Sequence, residues 1–379
     1  MRFALLGADA DSLPLAAAAV AAGHQLAWQG DLELADRGEF SWLAAADEGE
    51  QWEDLLIAET ADAILIGRGT ASDDLRARQV QELARLGRPM LVTFPLFSSV
   101  LTYFEVDMSR TEGGALLQYY NPLREAPALA ATMSWIAEGH PRFGRVEQIA
   151  ATRAMIDRSR EQVLQRFAQD VDLLSHVAGK LNRIGAHAST GADADYSALS
   201  VQLLGTAELP VRWNVEPPSD AEGLALHFIC ERGRETIWFD SQGLVAQSPV
   251  AAAAGGVERF QRAVEAEDAA ASNWLQALRA MELTDSIEIS LRRGRMIDVH
   301  DQQLTEQLAF KGTMSAFGCG LLLVIVPALL VIGWIAGMVG IPVAEYWPHV
   351  LLAILALFLG LQFLPKLLYK SPPVDGESR

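Results

Sequence analysis

The chain of 379 residues has only two cysteines, Cys230 and Cys319, and they stand far apart. Without a C-x-x-C pair or a cysteine–histidine cluster, neither a metal site nor a disulfide framework is supported. Lysine is nearly missing: it occurs at Lys180, Lys311, Lys366 and Lys370, and arginine supplies the rest of the 30 basic residues. Against 48 acidic residues the net charge is −18, so no general nucleic-acid-binding surface is expected. No P-loop, H-E-x-x-H or G-x-S-x-G is present. What is plentiful is apolar character, at 50% of the chain. That is ample for sizeable cores, and the length suggests about two or three domains.

The last quarter lacks charge in two long runs. No Asp, Glu, Lys or Arg lies between Lys311 and Glu345, or between Glu345 and Lys366. A bilayer core needs about 20 apolar helical residues. Residues 316–341 exceed that and residues 347–368 just reach it. Tyr346, Trp347 and Tyr369 suit the interface, and Lys366 and Lys370 can extend to headgroups. Gly340, Pro342 and Pro348 separate the two segments. We therefore expect a two-helix transmembrane hairpin in contact with the lipid bilayer through residues 316–368. The loop between the helices has no Lys or Arg, whereas Lys311, Lys366 and Lys370 flank the pair. The positive-inside rule then puts both termini and the soluble part in the cytoplasm.

The N-terminal end looks at first like a leader peptide, but Asp9, Asp11 and Pro14 interrupt its apolar stretch. A folded strand–turn–helix is expected instead. Residues 2–7 read as a buried strand, 13–22 as a helix stopped by Gly23, and 24–28 as a second strand. Apolar strand-like runs recur at 62–67, 88–92 and 115–120, with a helical stretch at 75–86. Such alternation implies a parallel sheet with right-handed crossovers, and a strand–glycine–helix opening is the Rossmann arrangement. The dinucleotide fingerprint G-x-G-x-x-G is reduced here to Gly7-Ala8-Asp9-Ala10-Asp11-Ser12. Only the first glycine survives, and Asp9 stands where backbone must approach a pyrophosphate. Asp11 or Ser12 can cap the helix N-terminus. Asp31, after the second strand, is the candidate for the acid that holds a ribose, and Arg68, after the third, either contacts an acidic ligand or is a loop residue. His140 and Arg142 read as turn residues before a strand.

Four further stretches carry a resemblance. These are Asp62-Ala63-Ile64-Leu65-Ile66; Gly87-Arg88-Pro89 through Thr93-Phe94-Pro95-Leu96; Tyr120-Asn121 with Arg124 and Pro127; and Ala277-Leu278-Arg279 through Ser290, then Gly294 to Val299. Their order and spacing resemble the Gfo/Idh/MocA oxidoreductases, named for glucose-fructose oxidoreductase and inositol dehydrogenase, over residues 1–300. The resemblance implies a Rossmann domain at 1–122 followed by an α+β domain at 123–300 with an open, mostly antiparallel sheet. A linker and the hairpin would occupy 301–372 and a polar tail 373–379. Strand-like stretches at 146–154, 182–189, 197–204, 224–231 and 235–240, around a helix at 158–180, suit the second domain, with Gly233 in a hairpin turn. The free face of that sheet is a candidate surface for a homo-oligomer.

The resemblance also implies NAD or NADP as cofactor, a lysine in E-K-P and a histidine in H-x-x-D. Here those positions are Phe94 and Gln169, and only the last acid is kept, as Asp172. Phenylalanine cannot move a proton. Asp172 and His176 are four apart on the expected helix and share a face, so they are either a displaced acid–base pair or a packing pair. With cofactor loop, lysine and histidine all altered, the expectation is a membrane-anchored, non-catalytic scaffold or ligand sensor, a pseudoenzyme that binds dinucleotide weakly or not at all. The alternative is an active NAD(P)-dependent oxidoreductase acting on a sugar or cyclitol. Because both apolar runs would be buried in lipid, the full chain is expected to stay in the membrane pellet through alkaline carbonate washing, and truncation before Lys311 should release it. Complete release of the intact chain would reject the hairpin.

Overall fold

Alternating residues of β1 (Arg2–Leu6) are buried on opposite sides, which requires a covered sheet on both faces. The computed structural model describes residues 1–32, 47–48, 51–188, 196–205, 208–243, 245 and 247–299. After β1 come α1 (Ser12–Ala21), β2 (Gln25–Gly30), β3 (Asp47–Glu48) and β4 (Ala63–Ile66). They are followed by α2 (Asp73–Arg85), β5 (Met90–Thr93), α3 (Val100–Gly113) and β6 (Leu117–Tyr120). The six strands pair in the order β3-β2-β1-β4-β5-β6, all parallel. This is the doubly wound order, whose ligand crevice lies at the carboxyl ends of the strands where the order reverses. The expected Rossmann sheet is therefore present.

Local chemistry fixes the helix ends. The Ser72 hydroxyl accepts from the Leu75 amide, Asp73 and Asp74 occupy the first turn of α2, and Arg85 its last, each sign suited to the helix dipole. Phe3 and Leu5 pack with Leu15, Ala16 and Ala19 on one face of the sheet. Ala4 and Leu6 face the larger core on the other.

The second sheet follows α4 (Leu129–Glu138). Its elements are β7 (Val146–Ala154), α5 (Arg160–Ala178), β8 (Leu181–His187), β9 (Ser200–Gly205), β10 (Pro210–Glu216), β11 (Gly223–Cys230) and β12 (Gly233–Asp240). Then come α6 (Pro249–Glu265), α7 (Trp274–Arg293) and β13 (Ile297–Asp298). The strand order is β12-β11-β7-β10-β9-β8-β13, and only the β7–β10 pair is parallel. An open, mostly antiparallel sheet was expected and is found.

Three features depart from the sequence reading. The central strand β10 was not anticipated, although Val211, Trp213 and Val215 alternate with polar residues and point inward. Helix α6 turns back onto α1, where Val257 and Phe260 complete the core under Phe3; its buried positions Ala252, Gly256, Val257, Phe260 and Ala263 recur at helical spacing, but the segment was not read in the sequence. The turn between β11 and β12 is made by Glu231 and Arg232, and Gly233 instead opens β12 opposite Cys230. The expected hairpin at 316–368 lies outside the described residues. Among the described residues, no helix is long and apolar enough to cross a membrane.

The two sheets share one core. The Trp274 ring stacks on Tyr103 at 4.9 Å and its Nε1 donates to the Tyr103 carbonyl at 3.0 Å, so α7 is pinned to α3. Against the second sheet Arg153 and Asp170 form a buried ion pair, and Trp213 Nε1 donates to the same carboxylate at 2.8 Å. Removing one partner strands a buried charge, which costs about 3–5 kcal/mol. Arg153→Met should accordingly lower stability by that amount in urea unfolding followed by near-ultraviolet circular dichroism. The double change Arg153→Met with Asp170→Leu should recover most of it.

Candidate functional site

The loop between β1 and α1 ends the first strand at the crevice. Gly7 has φ +85° and lies against the backbone of Gly67, the residue after β4; a Cβ on Gly7 would sit 2.4 Å from the Gly67 carbonyl oxygen. A Cβ on Gly67 would in turn meet the Ser12 hydroxyl at 2.5 Å. The two loops therefore close on each other, and both positions require glycine.

Within this closure Asp9 is the centre. Its Oδ1 accepts from the amides of Asp11 at 2.9 Å and Ser12 at 2.7 Å. Its Oδ2 accepts from the Arg68 amide at 2.8 Å and the Thr93 hydroxyl at 2.9 Å. The free N–H groups of a helix N-terminus are what attract a phosphate at this point of the fold. Here an internal carboxylate already takes them. The sequence reading proposed Asp11 or Ser12 as the cap. Neither side chain does this: the Ser12 hydroxyl accepts from the Asp9 amide at 2.8 Å and donates to the Gly7 carbonyl at 3.2 Å, which braces the loop beneath Asp9. Burial, followed by the neighbouring charge of Asp9, pushes the Asp11 carboxyl up to about 7, with Arg166 and Arg68 opposing.

Asp31 is also engaged. It sits at φ +57° after β2 and accepts from the Thr70 amide at 3.2 Å and from the Thr70 hydroxyl. It also pairs with the buried Arg76 guanidinium. Arg76 additionally donates to the Arg68 carbonyl at 3.0 Å and to Gln79 Oε1 at 2.8 Å. Arg76 was missed in the sequence. Its signal was available, because it shares the buried stripe of α2 with Val80, Leu83 and Ala84.

The positions expected to carry chemistry lie where β5 and β6 meet α5. Phe94 is buried, with its ring 5.1 Å from that of Tyr119 and 6.1 Å from that of Tyr103. The Gln169 amide donates to the Phe94 carbonyl at 2.9 Å and accepts from Arg166 at 3.0 Å. Asp172 is buried and accepts from the Tyr119 hydroxyl and from Asn121 Nδ2, the latter at 2.9 Å.

Asp172 and His176 do share a face of α5, but Arg124 stands between them. Its guanidinium lies 3.5 Å from Asp172 and 3.2 Å from His176 Nδ1. Asp172 therefore does not orient the imidazole. Burial, then the charges of Arg124 and Arg259, lower the His176 pKa, which keeps the ring neutral and able to accept from Arg124. Burial raises the Asp172 carboxyl pKa, while Arg124, Tyr119 and Asn121 hold it back. Arg124 and Tyr119 complete this network; Arg124 stood in the Asn121–Pro127 stretch that carries the resemblance but was given no role, and Tyr119 was not singled out. His140 is a turn residue: its Nδ1 accepts from the amides of Arg142 and Phe143, and its ring stacks on Phe143. Among the described residues, no group of three or more His, Cys, Asp or Glu could hold a metal ion.

No protein-family model matches the chain, and neither does any curated protein sequence. Solved structures do match in fold. A putative myo-inositol dehydrogenase from Sinorhizobium meliloti superposes with a TM-score of 0.63 at 18% identity, covering 79% of this chain and 100% of that one. A myo-inositol dehydrogenase from Corynebacterium glutamicum gives 0.63 at 15% identity, covering 79% and 99%. The scyllo-inositol dehydrogenase from Lactobacillus casei, solved with NAD(H) and scyllo-inositol, gives 0.60 at 10%, covering 79% and 99%. The fold is that of Gfo/Idh/MocA-type inositol and sugar dehydrogenases, a Rossmann-like sheet followed by a second sheet domain.

The Asp11 shift has a consequence for stability. A carboxyl whose folded pKa lies above its unfolded value of 3.8 favours the folded state at low pH. That contribution is lost as pH rises from about 4 through about 7. Asp11→Asn should therefore raise the melting temperature at pH 8, and raise it much less at pH 5. An equal effect at both pH values would contradict the shift.

Proposed function

We propose that this chain uses the dehydrogenase fold without its hydride chemistry, as a membrane-anchored scaffold or ligand sensor. The observation that carries the proposal is the Asp9 carboxylate, which takes the helix N-terminal amides together with the Arg68 amide and the Thr93 hydroxyl. A pyrophosphate entering there would have to displace four hydrogen bonds and meet a like charge. Asp31, the acid expected to hold a ribose, is occupied by Thr70 and Arg76. These residues do not fit NAD or NADP. Phe94 and Gln169 supply neither a lysine nor a histidine for proton transfer. Anchoring rests on the two uncharged runs at 312–344 and 346–365, with the soluble part in the cytoplasm. The outer face of the second sheet, where Trp238 is 44% exposed on β12, is the surface proposed for homo-oligomer formation.

A second reading, an NAD(P)-dependent oxidoreductase of a sugar or cyclitol, draws on one observation. Asp172 and His176 sit in one network with a neutral imidazole, the form a general base needs.

Titration calorimetry of the full chain in detergent against NAD(H) and NADP(H) separates the two. No saturable binding is expected for the unmodified chain. A like charge about 4 Å away costs roughly 1 kcal/mol in water and about 4 at an effective dielectric of 20. Asp9→Gly with Asp11→Ala should therefore gain about one to three decades in affinity, although loss of the cap should lower helix stability by about 1 kcal/mol. Turnover should stay undetectable until Phe94→Lys and Gln169→His are added. Tight NAD(P) binding by the unmodified chain, with reduction of the cofactor by any polyol, would overturn the proposal in favour of the second reading. His176→Ala would then locate the base.

A further inference from the structure

Beside the closed cofactor loop lies an open cleft of about 610 Å³. Its first wall is the loops after β4 and β5, with Arg68, Pro95 and Phe97. Its second is the N-terminal half of α5, with Glu161, Leu164 and Gln165, and its third is α7, with Met281, Asp285 and Glu288. Pockets at the junction of two domains, with an apolar lining and a few convergent polar groups, are the usual ligand sites. This one uses none of the side chains assigned above to proton transfer or to the pyrophosphate position.

The polar groups in the cleft sort by whether they already have partners. Arg160 is paired with Glu288, so those two charges offset each other. Ser98 is committed to Asp73 through both its amide and its hydroxyl, and the Thr284 hydroxyl to the Ala280 carbonyl. Arg68 uses its Nε on the Pro95 carbonyl at 3.1 Å; among the described residues its two terminal nitrogens have no hydrogen-bond partner. The side chains of Glu161, Gln165 and Asp285 likewise make no hydrogen bond or ion pair among the described residues. The cleft therefore presents one available guanidinium, one available amide and two available carboxylates over an apolar floor of Phe97, Leu164, Ala168 and Met281. Partial burial and the nearby charge of Glu288 raise the Asp285 carboxyl pKa, with the Arg292 guanidinium opposing.

Charge then selects the ligand class. A dianion such as a phosphate ester would satisfy Arg68, but it would have to pass Glu161 and Asp285 in a protein of net charge −18. A simple cation would satisfy the carboxylates and leave Arg68 facing it. A neutral polyol could hydrogen-bond to these groups but would bring no opposite charge to either sign. We infer that this cleft binds a small zwitterion, with a carboxylate on Arg68, an ammonium on Asp285 and Glu161, and an apolar spacer over Phe97, Leu164 and Met281. Such a ligand would be what a sensor built on this fold responds to. The inference stands apart from the dinucleotide question, since the zwitterion result and the NAD(H) result are read separately.

The test is titration calorimetry of the full chain in detergent with L-leucine, 4-aminobutanoate, 6-aminohexanoate and 8-aminooctanoate. Hexanoate, hexylamine and inorganic phosphate serve as comparators. At least one zwitterion should bind about tenfold or more tightly than every comparator, because each comparator forgoes one charge-assisted contact. Arg68→Gln and Asp285→Asn should each weaken that binding at least about tenfold. Their melting temperatures report whether the fold is kept. If Arg68→Gln disturbs its loop, the exposed Asp285→Asn and the ligand comparison on the unmodified chain still decide. The inference is overturned if no zwitterion binds better than the best comparator, including the case in which nothing binds, or if Asp285→Asn keeps full affinity.

Discussion

A helix that begins at the carboxyl end of a sheet exposes amides that need an acceptor. In this protein the acceptor is the Asp9 carboxylate, only two residues ahead of Asp11. Much of the surrounding geometry depends on that choice. By reaching also to the Arg68 amide and the Thr93 hydroxyl, the same carboxylate ties the ends of β1, β4 and β5 into one closed rim. Gly7 and Gly67 let the two loops touch, and the Asp31–Arg76 pair holds the far side of the β4 loop through the Arg68 carbonyl. The carboxylate thus takes amides of the kind that a helix N-terminus offers to an anion.

The second polar assembly has a different purpose. Tyr119, Asn121, Arg124, Asp172 and His176 join β6 and the turn after it to α5. Buried polar groups are costly unless each has a partner, and here the partners come from both sheets' elements. Together with Gln169 on the Phe94 carbonyl and Trp274 stacked on Tyr103, the network fixes the second sheet domain against the first. It rigidifies the junction whether or not His176 ever accepts a proton.

A cleft remains toward the N-terminal half of α5, where Glu161, Leu164, Gln165 and Ala168 line it. Helices α5 and α7 and the loops after β4 and β5 converge there without filling the space, while the ring cluster of Phe94, Tyr103 and Tyr119 is closely packed. Arg68 belongs to both places: its amide serves Asp9 and its side chain lines the cleft. A ligand drawn to the guanidinium would thus bear directly on the loop that Asp9 closes.

Much of this was legible in the residue order. The alternation of apolar runs with helical stretches specified a parallel sheet, because a strand buried on both faces must be apolar throughout. Asp9, Phe94 and Gln169 stood out because they fall where the family resemblance leads one to expect a glycine, a lysine and a histidine. Two uncharged runs beyond Lys311 were evident from composition. Other features were not accessible that way. Nothing in the spacing says that Asp9, rather than Asp11 or Ser12, caps α1, since all three are short polar residues suited to the task. The placement of Arg124 between Asp172 and His176 joins a turn near residue 124 to a helix some fifty positions later. The return of α6 to α1 and the cleft beneath α5 are likewise long-range. Local pattern fixes what a segment becomes; which side chains meet depends on how distant segments pack, and no local periodicity encodes that.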